Sequence, residues 1–150
     1  AGGERRQDSV YQGLSQLDPD TKIVLIHDAV RPLVKSREIE EVIRRADQKG
    51  AAILASPMKL TVKKVNSSLE IIKTVPRHNL WMAQTPQGFK RDLIVNTYEK
   101  IKDTNAELTD DAEVVEKAGH TVEIVSGSYD NIKITTHEDL KLAELLLVKR

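Results

Sequence analysis

The sequence predicts an α/β fold: a mainly parallel sheet flanked by helices, with a β-hairpin arm projecting from it. Three observations carry this. Ile23, Val24, Leu25 and Ile26 form a short unbroken apolar run rich in β-branched residues, the pattern of a strand buried on both faces of a parallel sheet. A helical pattern follows, then a second apolar run from Ala51 to Ser56 ended by Pro57, so 22–56 reads as a strand–helix–strand unit with a right-handed crossover. The stretch from about 59 to 76 instead holds Lys59, Lys63, Lys64 and Lys73 around Asn66-Ser67-Ser68. It is too polar for a buried parallel strand and reads as two strands about a turn.

At 150 residues the chain has the length of one domain with a single core. The 23 basic and 23 acidic residues balance, so no global field selects nucleic acid or an anionic membrane as partner. Aromatics make up 3% of the chain, too few for a base-stacking platform. With no cysteine there is neither a disulfide scaffold nor thiolate-bound zinc. No apolar run approaches the roughly 18 residues of a membrane span and no signal peptide opens the chain. The expectation is a soluble protein of the cytoplasm.

Taken in order, Ala1-Gly2-Gly3-Glu4-Arg5-Arg6 is loop-like. From Asp8 or Ser9 a helix runs to about Leu17, with Val10, Leu14 and Leu17 at helical spacing and Ser9 and Gln12 as a capping box. After the turn Asp18-Pro19-Asp20 and the first strand, Ser36 caps a helix with Glu38, Glu40 and Glu41 near its positive end. Ile39, Val42, Ile43 and Ala46 form its apolar stripe, and Gly50 is placed to stop it. Leu60 to Val65 and Leu69 to Val75 are the strands of the arm. An isolated hairpin is marginal in water, so the arm should pack on a second copy of the chain.

Pro76 to Phe89 reads as irregular and holds the only Trp and Phe. Asp92 to about Asp103 is an amphipathic helix, and Thr109 caps a short helix from Asp110 to Ala118 that Gly119 ends. Val122 to Val125 is a strand, Gly127 to Asp130 a turn, and Asn131 to Thr135 a further strand. Thr136 with Asp139 starts a last helix, with Leu140, Ala143, Leu146 and Leu147 facing inward.

The chemistry belongs where the first strand ends, because ligands of open α/β sheets bind beyond the carboxyl ends of strands. His27, Asp28 and Arg31 follow that strand and Pro32 stops it. An acid and an arginine three apart can hold a divalent cation and an anionic group; equally, Asp28 can cap a turn beside a solvated Arg31. Lys133 lies inside Ile132-Lys133-Ile134, where alternation sets it opposite its neighbours, toward either solvent or a phosphate. Arg77, between a proline and the Trp loop, is a rim residue or a guanidinium fork for phosphate. Thr61, Thr85 and Thr109 read singly as cap or strand residues. The four histidines have no zinc-ligand spacing. No G-x-S-x-G elbow, G-x-G-x-x-G run or Walker A loop occurs. The residues alone suggest an enzyme of nucleotides or sugar phosphates.

The strings RQDSVYQGL, IHDAVRP, GAAILASPMKLTVK, TVPRHNLWMAQTPQGF, ELTDDAEVVEKAG and NIKITTHEDLKLAE resemble, in order and spacing, those of the 2-C-methyl-D-erythritol 4-phosphate cytidylyltransferase family. Ribitol-5-phosphate cytidylyltransferases share the HDAVRP-like run and the TPQ loop; the TDDA and NIKIT strings and the arm favour the former. The resemblance implies a Rossmann-like nucleotidyltransferase domain and cytidylyl transfer from CTP to the sugar phosphate, with Mg²⁺ as cofactor and a homodimer joined through the arm. It implies a cytoplasmic enzyme, or a plastid one in a plant.

By motif, the resemblance makes Asp28 the residue that holds Mg²⁺–CTP, with Ala29 beside it in the nucleotide site. Arg31, Thr109 and Lys133 then bind the substrate, Lys133 at the reacting centre. Thr61 and Arg77 grip the substrate phosphate from the other subunit's arm, Arg77 catalytically. Gly3 and Ser9 contact the cytidine. Two departures stand out. Lys59-Leu60 precedes Thr61 where the family often has an acid, and the Gly-rich LAAGxGxRM loop and PKQ segment of the family are absent. The resemblance therefore implies a C-terminal portion with negligible turnover alone. The competing expectation is a dimerisation module of the same fold without catalysis.

Overall fold

The structure, a computed structural model, describes residues 2–102 and 108–148. Its elements are α1 (Arg6–Leu14), β1 (Ile23–Ile26), α2 (Ser36–Lys49), β2 (Ala51–Pro57), β3 (Val62–Val65) and β4 (Ile71–Val75), followed by β5 (Trp81–Lys90), α3 (Arg91–Ile101), α4 (Asp111–Lys117), β6 (Glu123–Ser126) and α5 (His137–Val148). Asp103, the expected end of the third helix, lies outside the described residues.

The main sheet has the order β1-β5-β2-β6. β2 and β6 are parallel, while β5 runs antiparallel to both β1 and β2. The sheet is thus mixed rather than mainly parallel, and β5 lies between the two strands of the expected strand–helix–strand unit. The strand missed by the sequence pattern is the longest one, and it falls in the stretch expected to be irregular. Gln84, Thr85 and Gln87 interrupt any apolar run there, yet all three are buried. Each is hydrogen-bonded, and a satisfied polar side chain can be buried at little net cost. Pro86 donates no ladder hydrogen bond. It sits where β2 shifts register between Ile53 and Ala55, the irregularity a proline inside a sheet requires.

Period-two alternation divides the strands between two cores. Val24, Ala51, Ile53 and Phe89 pack with Ile94 and Tyr98 of α3 and Val114 and Val115 of α4. Ala52, Leu54 and Val125 pack with Val42 and Ala46 of α2 on the other face. Gly88 permits this close contact: a Cβ there would lie 2.7 Å from Val42 Cγ1 and 3.0 Å from Leu25 Cδ2. β1 is an edge strand among the described residues, so only Val24 of its four residues is buried. Burial on both faces, expected of it, does not hold.

Helix starts differ from the expected ones for a common reason. α1 begins at Arg6, and Asp8 Oδ2 accepts the N–H of Arg5 at 3.0 Å. Glu38 Oε2 accepts the N–H of Lys35 at 2.9 Å ahead of α2. Asp110, not Thr109, caps α4, its Oδ1 accepting the N–H of Glu113 at 2.9 Å. A carboxylate makes a charge-assisted bond to amides at the positive end of a helix, and here it displaces Ser9, Ser36 and Thr109 from the capping role. Thr136 and Asp139 do form the expected reciprocal pair at the start of α5. Gly50 and Gly119 end α2 and α4 at positive φ, as expected of C-terminal glycines.

Two further expectations fail. Asn131 to Thr135 is loop rather than strand, joined to the first turn by the Ile134 N–H donated to the Val30 carbonyl at 2.9 Å. In α5 only Ala143 is buried; Leu140 and Leu147, expected to face inward, are about half exposed. β3 and β4 form a separate two-stranded sheet with exposed Ile71 and Ile72. At its base Arg77 donates to the Lys59 carbonyl. Lys59 Nζ stands 3.3 Å above the Tyr129 ring, whose hydroxyl donates to the Pro57 carbonyl at 2.7 Å.

Candidate active site

Beyond the carboxyl end of β1 the chain turns sharply, the Arg31 N–H donating to the Asp28 carbonyl at 3.0 Å. That turn brings Arg31 Nε to 3.2 Å from Asp28 Oδ2. Lys133 Nζ reaches the same oxygen at 3.3 Å from the loop before α5. Burial works against the Asp28 charge, but Lys133 and Arg31 together outweigh it and hold its carboxyl below the usual range. The result is a preformed ionic cluster carrying one acid and two cations.

Two buried polar residues, Asn131 and Thr85, fix this cluster, with the exposed His27 beside them. Arg31 Nη1 donates to the Asn131 carbonyl at 2.8 Å. Asn131 is fully buried, and its Nδ2 donates to the Thr85 carbonyl at 2.9 Å. Thr85 Oγ1 in turn accepts the Asp28 N–H at 3.0 Å and lies 2.9 Å from His27 Nδ1, while His27 Nε2 lies 3.2 Å from the Arg31 carbonyl. A carbonyl only accepts, so a neutral His27 carries its proton on Nε2, and the Thr85 hydroxyl donates to Nδ1. The β1 turn is thereby tied to β5 through one threonine.

A cavity of about 240 Å³ opens over the cluster, lined by Asp28, Arg31, Lys133, Thr109, Arg6 and Asp110 above the β5 side chains of Thr85 and Gln87. Asp110 is committed on both oxygens, to the Glu113 N–H and to Gln87 Nε2. Arg6 makes a two-pronged pair with the buried Asp111 at 3.1 and 2.5 Å. Tyr98 donates its hydroxyl to Asp111 at 2.5 Å, and burial, first, then the adjacent carboxylate push the Tyr98 hydroxyl far above its ordinary pKa. Three cations thus face a small polar cavity, an arrangement suited to a phosphate-bearing ligand.

Of the sequence-derived candidates, Asp28, Arg31, Lys133 and Thr109 line this cavity. Ala29 is exposed on the turn between Asp28 and Arg31. Gly3 and Ser9 meet each other, the Gly3 N–H donating to Ser9 Oγ at 2.9 Å, away from the cavity lining. Thr61 is exposed on the arm and Arg77 is held at its base, so neither reaches the cavity within this chain. Sequence reasoning missed Arg6, Gln87, Asp110 and Asn131. Arg6 opens the RQDSVYQGL string and Gln87 lies in the TPQG string, both among the quoted likenesses, but neither has a spacing that by itself points to a site.

The model of the family described as IspD, 2-C-methyl-D-erythritol 4-phosphate cytidylyltransferase, matches residues 1–149. The chain belongs to that family. A family enzyme from Pelotomaculum thermopropionicum is 48% identical over 149 residues, 99% of this chain and 63% of its own length. One from Alkaliphilus oremlandii is 50% identical with the same coverage. The crystal structure of the cytidylyltransferase from Thermus thermophilus superposes with TM-score 0.87 at 34% identity, covering 97% of this chain and 70% of that one. This chain therefore spans about 63% of the length of those two curated relatives. A mixed sheet flanked by helices is the fold it shares with the cytidylyltransferase structures.

Proposed function

We propose that this chain carries the sugar-phosphate site of a cytidylyltransferase that joins CTP and 2-C-methyl-D-erythritol 4-phosphate, giving 4-diphosphocytidyl-2-C-methyl-D-erythritol and pyrophosphate in non-mevalonate isoprenoid synthesis. The observation that carries the reading is the meeting of Arg31 and Lys133 on one oxygen of Asp28 at the mouth of a small cationic cavity. In the reaction a phosphate oxygen of the sugar forms a bond to the α-phosphorus of CTP, and the bond from that phosphorus to the β-phosphate oxygen breaks. Negative charge gathers on the transferring group, so fixed cations and positioning do most of the work. Arg31 and Thr109 orient the sugar phosphate and Lys133 faces the reacting centre.

Both cation contacts of Asp28 go to Oδ2, and no described hydrogen bond engages Oδ1. Among the described residues no group of three or more potential ligands gathers for a metal. One carboxylate oxygen completed by nucleotide phosphates fits Mg²⁺, which binds through few protein ligands. Asp28 would hold that ion, which supplies charge neutralisation on the triphosphate.

Ala29, Gly3 and Ser9 belong to the cytidine side of the site in this reading. Thr61 and Arg77 serve the cavity of a second subunit, with the apolar arm residues Ile71 and Ile72 at the dimer interface. No helix among the described residues is long and apolar enough to cross a membrane; the cytoplasm, or the plastid stroma in a plant, is the proposed setting. Calorimetric titration with 2-C-methyl-D-erythritol 4-phosphate tests the assignment. Saturable binding that drops at least tenfold in Arg31→Ala, and is weaker for ribitol 5-phosphate, supports it. Equal binding in wild type and Arg31→Ala refutes it.

A further inference from the structure

Gln87 is 1% exposed at the centre of β5, paired with Ile26 of β1 and Ile53 of β2. Its side chain leaves the sheet to grip another element. Oε1 accepts the N–H groups of both Asp111 and Ala112, at 3.1 and 3.0 Å. Nε2 donates to Asp110 Oδ2 at 2.9 Å. Amides of the first turn of a helix have no partner within it, so Gln87 caps α4 from outside while clamping its N-cap carboxylate. One turn further, Glu113 accepts both the N–H and the hydroxyl of Thr109 at 2.8 Å. Thr109 and Asp110 line the cavity, and both are tied to α4 through Glu113. Their places depend on where α4 begins.

We infer that Gln87 is a positioning residue of the sugar-phosphate site, holding the start of α4 against β5 so that Thr109 faces Asp28, Arg31 and Lys133. This rests on the proposed reading of the site. A neutral group suits the role, and the amide offers an acceptor to two N–H groups and a donor to a carboxylate at once. A carboxyl in its place keeps the acceptor half and loses the donor half until it is protonated. The charged groups that share the cavity with it are Asp110 and Arg6 beside it and Asp28, Arg31 and Lys133 across it, with Asp111 behind Arg6.

Two variants and two readouts test this. In Gln87→Met, amide exchange at Asp111 and Ala112 should accelerate at least tenfold, and affinity for 2-C-methyl-D-erythritol 4-phosphate should fall about tenfold. In Gln87→Glu the two amides should stay protected, while affinity relative to wild type falls about tenfold near pH 8 and recovers toward pH 5.5, as the introduced carboxyl takes up a proton shared with Asp110. Wild-type affinity in Gln87→Met overturns the inference even if its amides loosen, because Gln87 is then a helix cap and nothing more. A pH-independent defect in Gln87→Glu also overturns it. A wild-type chain that binds no sugar phosphate instead overturns the reading of the site, and unchanged exchange in Gln87→Met would still sink the anchoring role.

Discussion

Lys133 Nζ lies 3.3 Å from Asp28 Oδ2 although the two residues stand at opposite ends of the chain. The carboxylate leaves the end of β1, and the ammonium arrives from a loop pinned by Asn131 to β5. Arg31, on the same turn as Asp28, closes the cluster at 3.2 Å. The site thus exists before any ligand arrives, and its parts can be tested singly.

Asp28→Asn keeps the shape of the turn and removes the charge that two cations share. In the proposed reaction, assayed with the nucleotide-loop segment of the family also present, loss of the group that holds the metal–nucleotide complex should lower the rate of pyrophosphate release about a hundredfold or more. Affinity for the sugar phosphate alone should hold or rise, since Arg31 and Lys133 then lack a competing anion. A rate within threefold of wild type would remove Asp28 from the mechanism.

Acid should act through the same residue. The Asp28 carboxyl is held below its ordinary value near 3.9, so it binds a proton more weakly folded than unfolded. Its contribution to stability is complete above that ordinary value and disappears as pH falls through the lower folded one. Thermal unfolding of wild type and Asp28→Asn should therefore differ by a constant amount from neutrality down to about pH 4, and the gap should narrow only below that. Narrowing already at pH 6 would contradict the cluster.

Gly88→Ala should destabilise the chain without touching the cavity. The added Cβ would meet Val42 Cγ1 at 2.7 Å, Leu25 Cδ2 at 3.0 Å and Ala46 Cβ at 3.3 Å, where helix and sheet have no slack. Overpacking of this kind costs about 1–3 kcal/mol, measurable by urea unfolding. The double variant with Val42→Ala should recover part of the loss, because the first clash is with that side chain.

The arm should decide the oligomeric state. Ile71 and Ile72 are 63% and 57% exposed on a two-stranded sheet, a poor state for a hairpin in water. Ile72→Lys should shift sedimentation from dimer to monomer and weaken sugar-phosphate binding, since Arg77 and Thr61 would no longer be offered to a second cavity. A wild-type monomer at all accessible concentrations would end that part of the proposal.

What the sequence determined by itself is local. The β-branched run of β1, the apolar run of β2, the glycine stops and the polar hairpin are all set by neighbours a few residues away, and each formed close to where its pattern placed it; of the α2 stripe Val42 and Ala46 are buried, whereas Ile43 is exposed. Asp28 and Arg31 were legible for the same reason, as charges set immediately beyond a strand. The tertiary structure decided the rest. β5 enters the middle of the sheet because Gln84, Thr85 and Gln87 find partners on other elements, and polarity along the chain reveals nothing of partners across it. Lys133 reaches Asp28 from a loop and not from the strand its alternation suggested, and Gln87, not a local hydroxyl, caps α4. Periodicity records which face of a segment is apolar; which distant group satisfies a buried amide or charge is fixed only when the segments meet.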